Sequence, residues 1–249
     1  MKALLSSTYF GPIQWYQKLN RYDECLIERH ESFIKQTYRN RMLIPTTNGP
    51  LALTIPTNHN TSLAMKDIRI SDHANWRHVH WNALLSAYGE SPFFEYYQDD
   101  IRPFYEKKYE FLFDFNMEIT EKMIELLDIR PKISVTNEYI QSEELKVKSI
   151  ESEELKVKSE EFNGLANHKV QSSNLKVQSK EVQSKEVQSK EVQSIVDFRE
   201  AIRPKKPLPD AEFESKRYYQ VYEQKFGFQP NMSILDLLFN EGNEAIFYL

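Results

Sequence analysis

Seven consecutive residues combine positive charge with directional polar groups. They are Lys35-Gln36-Thr37-Tyr38-Arg39-Asn40-Arg41. An arginine binds a phosphate or carboxylate through two parallel hydrogen bonds, and a lysine adds a point charge. We therefore predict an anion-binding segment, in which Tyr38 and Asn40 supply directional contacts. The alternative is a strand edge guarded by solvated charges, and the sequence leaves both open.

A second polar segment, residues 72–82, contains three of the six histidines of the chain. A histidine near its ordinary pKa can act as a general base at neutral pH, and we select His73 and His78 for that role. Asn75 and Arg77 lie beside them and are added as substrate-binding candidates. His78 and His80 would point roughly 200° apart on a helix, so they cannot share one metal ion. No metal site is predicted, and packing of histidine against tryptophan is the alternative.

Familiar catalytic signatures do not occur in the sequence. It contains no GxGxxG, GxxxxGK[ST], GxSxG or HExxH motif, and it has only six glycines. A glycine-rich loop around a dinucleotide is therefore not expected. The cofactor is left unknown. The aromatic residues of segment 92–104 follow helical spacing, which favours core packing over chemistry.

The elements that must position these residues alternate between strand and helix patterns. We predict strands at residues 3–9 and 24–29, a helix from Gly11-Pro12 to residue 21, and a short strand at 67–70. Asn48-Gly49 between two apolar runs predicts a hairpin of residues 41–46 and 51–57. Helices are predicted at 75–88, 92–107, 116–127 and 233–240. This order predicts an α/β fold with a mixed sheet, a β-hairpin and several packed helices.

A repetitive tract at residues 142–194 interrupts this pattern. SEELKVKS occurs twice ten residues apart, and KEVQS occurs three times in succession. A five-residue period holds no apolar stripe on a helix, and the tract has little to bury. We predict a disordered or loosely helical insert within one domain formed by residues 1–141 and 195–249. Its rival role is a polar interaction linker.

Composition narrows the class of protein further. The chain has 249 residues, 32 Lys and Arg against 37 Asp and Glu, and one cysteine, Cys25. Without a basic excess, nucleic acid is not an expected partner. A single cysteine within an apolar run is typical of a buried strand thiol. No segment is long and apolar enough to span a membrane, so a cytoplasmic location is expected.

Seven segments in order along the chain resemble the WbqC-like family. They are YFGPIQWY (9–16), KQTYRNR (35–41), NGPLALTIP (48–56), IRISD (68–72), NWR (75–77), PFFEYY (92–97) and SILDLLFN (233–240). The resemblance implies a bacterial protein of surface-polysaccharide (O-antigen) biosynthesis that modifies a sugar nucleotide or glycan precursor. It supplies no catalytic residues.

Two functions follow as hypotheses. The first is a transferase acting on an activated anionic substrate, either a nucleotide sugar or an acyl or aminoacyl donor. The second is a non-catalytic scaffold of a polysaccharide assembly complex, marked by an exposed aromatic patch of Trp15, Tyr16, Tyr218, Tyr219 and Tyr222. The transferase hypothesis requires Arg39, Arg41, Asn75 and His78 to converge on one cleft. The sequence gives no oligomeric state.

Overall fold

Four parallel strands form the central sheet. The computed structural model describes residues 1–58, 63–141 and 194–249. The strands are β1 (Lys2–Ser6), β2 (Glu24–Glu28), β5 (Ile133–Val135) and β6 (Ile195–Asp197), in the order β5-β2-β1-β6. In register, Ala3 of β1 lies opposite Cys25 of β2 on one side and Val196 of β6 on the other. The apolar residues of β1 are fully buried, as expected for a parallel strand covered on both faces.

The remaining two strands form the predicted hairpin. Strands β3 (Arg41–Ile44) and β4 (Leu51–Thr54) pair antiparallel. Gly49 in the turn has a φ of +96°, a conformation that favours glycine. Its carbonyl accepts hydrogen bonds from the backbone N–H and the hydroxyl of Thr46. The prediction from Asn48-Gly49 is therefore confirmed.

Helices surround the sheet and complete the mixed α/β fold. Short 3₁₀ helices among the described residues span Met65–Asp67, His73–Asn75 and Gly242–Tyr248. The α-helices are α1 (Ile13–Arg21), α2 (Trp76–Tyr88), α3 (Phe94–Ile101), α4 (Pro103–Glu106), α5 (Leu112–Leu126), α6 (Glu223–Phe226) and α7 (Ile234–Glu241).

Helix α1 lies at the centre of the apolar core. Trp15, Tyr16 and Leu19 are almost completely buried. Lys18 on the same helix is also buried, and its Nζ lies 3.0 Å from Oδ1 of Asp210. This ion pair attaches the proline-rich segment after β6 to the core. Cys25 is a buried free thiol, as predicted.

Two predicted elements were wrong in detail. Residues 67–70 form no continuous strand, because their backbone pairs at single bridges, Thr57 with Ile70 and Arg69 with Phe111. The single helix predicted at 92–107 is divided between α3 and α4, where Pro103 starts a new helix and has no N–H to continue the old one.

The repeat tract lies almost entirely outside the described residues. Residues Met1–Ile140 and Ile195–Leu249 form one compact unit. The disorder predicted for residues 142–194 therefore concerns, apart from Ser194, residues outside the described part of the chain. Within the described ranges, no helix has the length and apolarity needed to cross a bilayer.

Candidate functional site

A small cavity lies at the carboxyl ends of β1 and β6. The chain leaves β1 towards β2 on one side, whereas β6 pairs with β1 on the other. Ligands of open parallel sheets bind at such a switch point. The cavity has about 10 Å³, enough for one water molecule. Its lining residues are Leu5, Ser6, Thr8, Trp15, Tyr38, Arg39, Phe198, Arg199 and Ile202.

Arg39, one of these lining residues, forms a buried ion pair with Glu31. Arg39 Nε lies 2.8 Å from Glu31 Oε1, and Nη2 lies 2.6 Å from Oε2. Nη2 also donates to Ser6 Oγ at 2.8 Å, and Nη1 donates to Thr37 Oγ1 at 3.2 Å. The guanidinium predicted to bind a ligand phosphate is thus already held by a protein carboxylate.

A second buried network adjoins the small cavity through Arg199. Glu28 accepts hydrogen bonds from Thr136 Oγ1 at 2.7 Å and from the backbone N–H groups of His30 and Ile140. Arg199 donates to Asp197 and lies 3.7 Å from Glu28. These contacts tie the carboxyl ends of β2, β5 and β6 together.

Sequence reasoning missed most of these residues. Ser6, Glu28, Glu31 and Arg199 each lie at or shortly after the end of a parallel strand. Polar residues that directly follow buried strands would have been the signal, because the carboxyl ends of parallel strands share one edge of a sheet. Thr8 also lines the small cavity, and its Oγ1 has no hydrogen-bond partner among the described residues.

The structure does not bring the side chains of the predicted segment 35–41 together around one pocket. Tyr38 and Arg39 line the small cavity. The side-chain amide of buried Asn40 donates to the Ile55 carbonyl at 3.0 Å, and Arg41 Nε donates to Thr54 Oγ1 at 2.9 Å in the hairpin. Lys35 is exposed. These side chains point to different neighbours, so most of them have structural partners.

Three other predicted residues share a wide groove between α2 and the α3–α4 region. The groove has about 380 Å³, within the usual size of small-molecule sites. Asn75, Arg77 and His78 contribute from the start of α2. The full lining is Asn75, Arg77, His78, Trp81, Arg102, Tyr105, Glu106 and Lys108.

Positive charge predominates in this groove. Arg77, Arg102 and Lys108 face one lining carboxylate, Glu106, whose Oε1 lies 2.7 Å from Arg102 Nε. Arg77 is mostly buried, with its guanidinium 4.6 Å from the Trp76 ring centroid. Its Nε and Nη2 have no hydrogen-bond partner within the described part of the chain. The groove therefore offers several cations to an anionic group.

The candidate bases occupy exposed positions. His78 Nε2 lies 2.9 Å from the side-chain amide of Asn82, which orients the ring. His73 is exposed in the short helix before α2 and is not among the lining residues of the groove. Asp72, directly before that short helix, makes no capping hydrogen bond and instead pairs with Arg77 and Lys108.

A match to a known family covers most of the chain. The model of the WbqC-like protein family matches residues 7–155 and 206–248. The chain belongs to the WbqC-like protein family. It is 26% identical over 250 residues to Uncharacterized protein Rv1507c of Mycobacterium tuberculosis, covering 99% of this chain and 96% of that protein. No solved structure matches it significantly.

The WbqC-like match covers the lining of the wide groove completely and the lining of the small cavity only in part. Every lining residue of the wide groove lies within 7–155, as do Glu31 and Arg39. Phe198, Arg199 and Ile202 of the small cavity fall in the unmatched stretch 156–205. The groove is therefore entirely a feature of the matched WbqC-like sequence, whereas one wall of the small cavity is not.

A buried hydrogen-bonded chain connects the groove of this WbqC-like domain to β1. The Tyr9 hydroxyl lies 2.9 Å from His80 Nδ1 and 2.9 Å from the Tyr105 hydroxyl, and Tyr105 lines the groove. Burial lowers the pKa of His80 to about 4, partly opposed by a hydrogen bond with the backbone of Thr54. His80 is therefore neutral at pH 7 and accepts a proton poorly.

The aromatic marker of the scaffold hypothesis was wrong. Trp15, Tyr16 and Tyr218 are buried, whereas Tyr219 is exposed. Trp15, Tyr16 and Tyr218 pack as core residues, so the five aromatic side chains form no common surface. Among the described residues, no group of three or more His, Cys, Asp and Glu side chains is arranged to hold a metal ion.

Proposed function

We propose that this WbqC-like protein is a transferase that binds an activated anionic substrate in the groove between α2 and α4. The substrate class is a nucleotide sugar or a phosphate-activated acyl or aminoacyl donor of bacterial surface-polysaccharide biosynthesis. One observation carries the proposal: Asn75, Arg77 and His78 line the same groove as Arg102 and Lys108. The ring of Trp81 adds an apolar face, as small-molecule sites commonly have.

Each part of the groove then has a chemical role. The acceptor hydroxyl or amine attacks the activated carbon, and its proton passes to His78. The bond between that carbon and the donor phosphate oxygen breaks, and the phosphate leaves with the electron pair. Arg77, Arg102 and Lys108 stabilise the charge that develops on that phosphate, which is commonly the largest catalytic contribution. Asn75 positions the acceptor.

Two exposed cations allow the substrate site to be tested without damage to the core. Side chains of Arg102 and Lys108 are 57% and 79% exposed, so the double variant Arg102→Ala/Lys108→Ala should fold. Its matched control is Lys107→Ala/Arg217→Ala, which removes the same charge from exposed positions that do not line the groove. Both variants and the parent are screened by thermal shift against nucleotide sugars, nucleotides and aminoacyl donors.

The expected result is a ligand that stabilises the parent and the control but not the groove variant. A ligand at 100 times its dissociation constant adds about 2.7 kcal/mol to the free energy of unfolding. Equal stabilisation of all three proteins would place the ligand elsewhere and contradict the proposal. Product formation from the stabilising donor, followed by mass spectrometry, then tests transfer.

A binding protein without catalysis is the second candidate. Arg39 and Arg41 do not converge with Asn75 and His78, because Arg39 is held by Glu31 and Arg41 lies in the hairpin. That dispersal favours binding over the form of transfer first predicted, so the transferase proposal rests on Arg102 and Lys108 in place of Arg39 and Arg41. A ligand bound in the groove with no turnover of any acceptor would support this candidate.

A further inference from the structure

A carboxylate beside the groove, Asp72, pairs with two of the cations that line it. Asp72 Oδ1 lies 2.5 Å from Arg77 Nη1, and its Oδ2 lies 3.2 Å from Lys108 Nζ. Each carboxylate oxygen thus contacts a different cation. One of these cations belongs to α2, and the other follows α4 along the chain. Asp72 joins the two walls of the groove.

Arg77 and Lys108 both line the groove, together with Arg102. Two cations that share one carboxylate can equally share a phosphate, which presents several oxygens and more charge. A ligand phosphate that uses Arg77 and Lys108 must therefore replace Asp72 or be repelled by it. Glu106, the other carboxylate nearby, pairs with Arg102 within its own stretch of chain and bridges nothing.

The segment that carries Asp72 is exposed between two anchored ends and is attached to the groove walls by the ion pairs of Asp72. The Ser71 backbone N–H donates to the Pro56 carbonyl, and Trp76 is buried, but residues 72–75 between these anchors are exposed. Ala74 and Asn75 both have left-handed backbone angles, with φ of 63° and 46°. An alanine in this conformation is strained, and strain of this kind is concentrated in switch segments and ligand clamps.

We infer that Asp72 is an internal counter-ion that occupies the phosphate position of the groove and is displaced by the substrate. The inference rests on the proposed function and adds a residue that limits affinity and selects for strongly charged anions. A monoanionic carboxylate would exchange one single charge for another, whereas a pyrophosphate brings more charge than Asp72 supplies. The hydrogen bonds from Arg77 and Lys108 also hold the pKa of the Asp72 carboxyl below its usual range, so it remains charged at neutral pH.

The test measures binding of inorganic pyrophosphate to the full chain by isothermal titration calorimetry at fixed low ionic strength. Asp72→Asn removes the bridging carboxylate, and Glu106→Gln is the matched control, since it removes one exposed carboxylate from the same groove. An exposed ion pair is worth up to about 1 kcal/mol, which corresponds to roughly a fivefold change in affinity. We expect Asp72→Asn to tighten binding about fivefold and Glu106→Gln to tighten it less.

Other outcomes overturn the inference in distinguishable ways. Equal tightening by both variants would show a general effect of groove charge, with no special role for Asp72. Unchanged or weaker binding by Asp72→Asn, with binding still lost in Arg102→Ala/Lys108→Ala, would remove the counter-ion role and leave the groove as the anion site. No binding by the parent or either single variant, with all proteins folded, would remove both the inference and the anion site on which it rests.

Discussion

Arg39 and Glu31 form a buried bidentate ion pair beneath the carboxyl end of β1. Both side chains are less than a tenth exposed, and Ser6 Oγ hydrogen bonds with both partners. The Arg39 carbonyl also accepts a hydrogen bond from the side-chain amide of Asn116 on α5. The pair therefore connects β1, the loop after β2 and α5. Its surroundings indicate a structural role for an arginine that the sequence suggested as a ligand contact.

Removal of Arg39 should therefore lower stability more than ligand affinity. Arg39→Ala leaves the Glu31 carboxylate buried without its cation, and breaking one side of a buried pair costs about 3–5 kcal/mol. Urea denaturation monitored by circular dichroism measures the loss. Arg39→Lys keeps the charge without the bidentate geometry and should lose less. A stable Arg39→Ala protein that no longer binds the groove ligand would contradict this assignment.

Local patterns in the sequence predicted most of the elements, whereas contacts between distant segments decided the site. Asn48-Gly49 specifies its hairpin by itself, and the apolar run of β1 identifies a buried strand. The role of Arg39 depends on Glu31 and Ser6, which reach it only after two strands align in parallel. Similarly, Asn75, Arg77 and His78 are neighbours in the sequence and lie together in the groove for that reason. Arg102 and Lys108 reach the same groove only because α2 packs against α4.

The pH dependence of stability should contain two opposing contributions. Burial raises the pKa of Asp236 from its ordinary 3.8 to about 6, although Tyr218 and Gln220 donate hydrogen bonds that partly oppose the rise. This contribution to stability is complete below pH 3.8 and is lost as pH rises through 6. The pKa of His80 is lowered from 6.5 to about 4, so its contribution is complete above pH 6.5 and is lost as pH falls through 4. Each amounts to about 3 kcal/mol.

Asp236→Asn should separate these two contributions. The neutral amide can accept the hydrogen bonds of Tyr218 and Gln220 at its one oxygen, loses the long contact with Asn240 and removes the cost of a buried charge, so stability at pH 7 should rise by about 1–3 kcal/mol. Acidification from pH 6.5 to 4 should then destabilise the variant more steeply than the parent, since only the His80 contribution remains. The measurement is urea denaturation across this range, with exposed Asp99→Asn as the control. A parallel shift of both curves would refute the assignment to Asp236.

Replacement of residues 142–194 by a flexible linker should leave the domain intact. Before the tract, the Ile140 carbonyl accepts a hydrogen bond from Arg199, which lies just after the carboxyl end of β6. After the tract, the chain enters β6 at its opposite end, at Ile195. A Gly/Ser linker of about ten residues bridges the distance without strain. Loop length affects stability only through closure entropy, so we expect a change within about 1 kcal/mol. A fall in thermal midpoint of more than about 5 °C would show that the tract contributes to packing.

The hydroxyl of Tyr9 should stabilise the domain through two buried partners at once. Tyr9→Phe removes the group that lies 2.9 Å from both His80 Nδ1 and the Tyr105 hydroxyl, and leaving buried polar groups unpaired costs about 1–3 kcal/mol each. Tyr105→Phe is the matched control, because it keeps the contact between Tyr9 and His80 and should cost less. Urea denaturation at pH 7 measures both variants. Equal losses would mean that the contact with His80 adds nothing, and that the neutral imidazole is held by Thr54 and its aromatic neighbours alone.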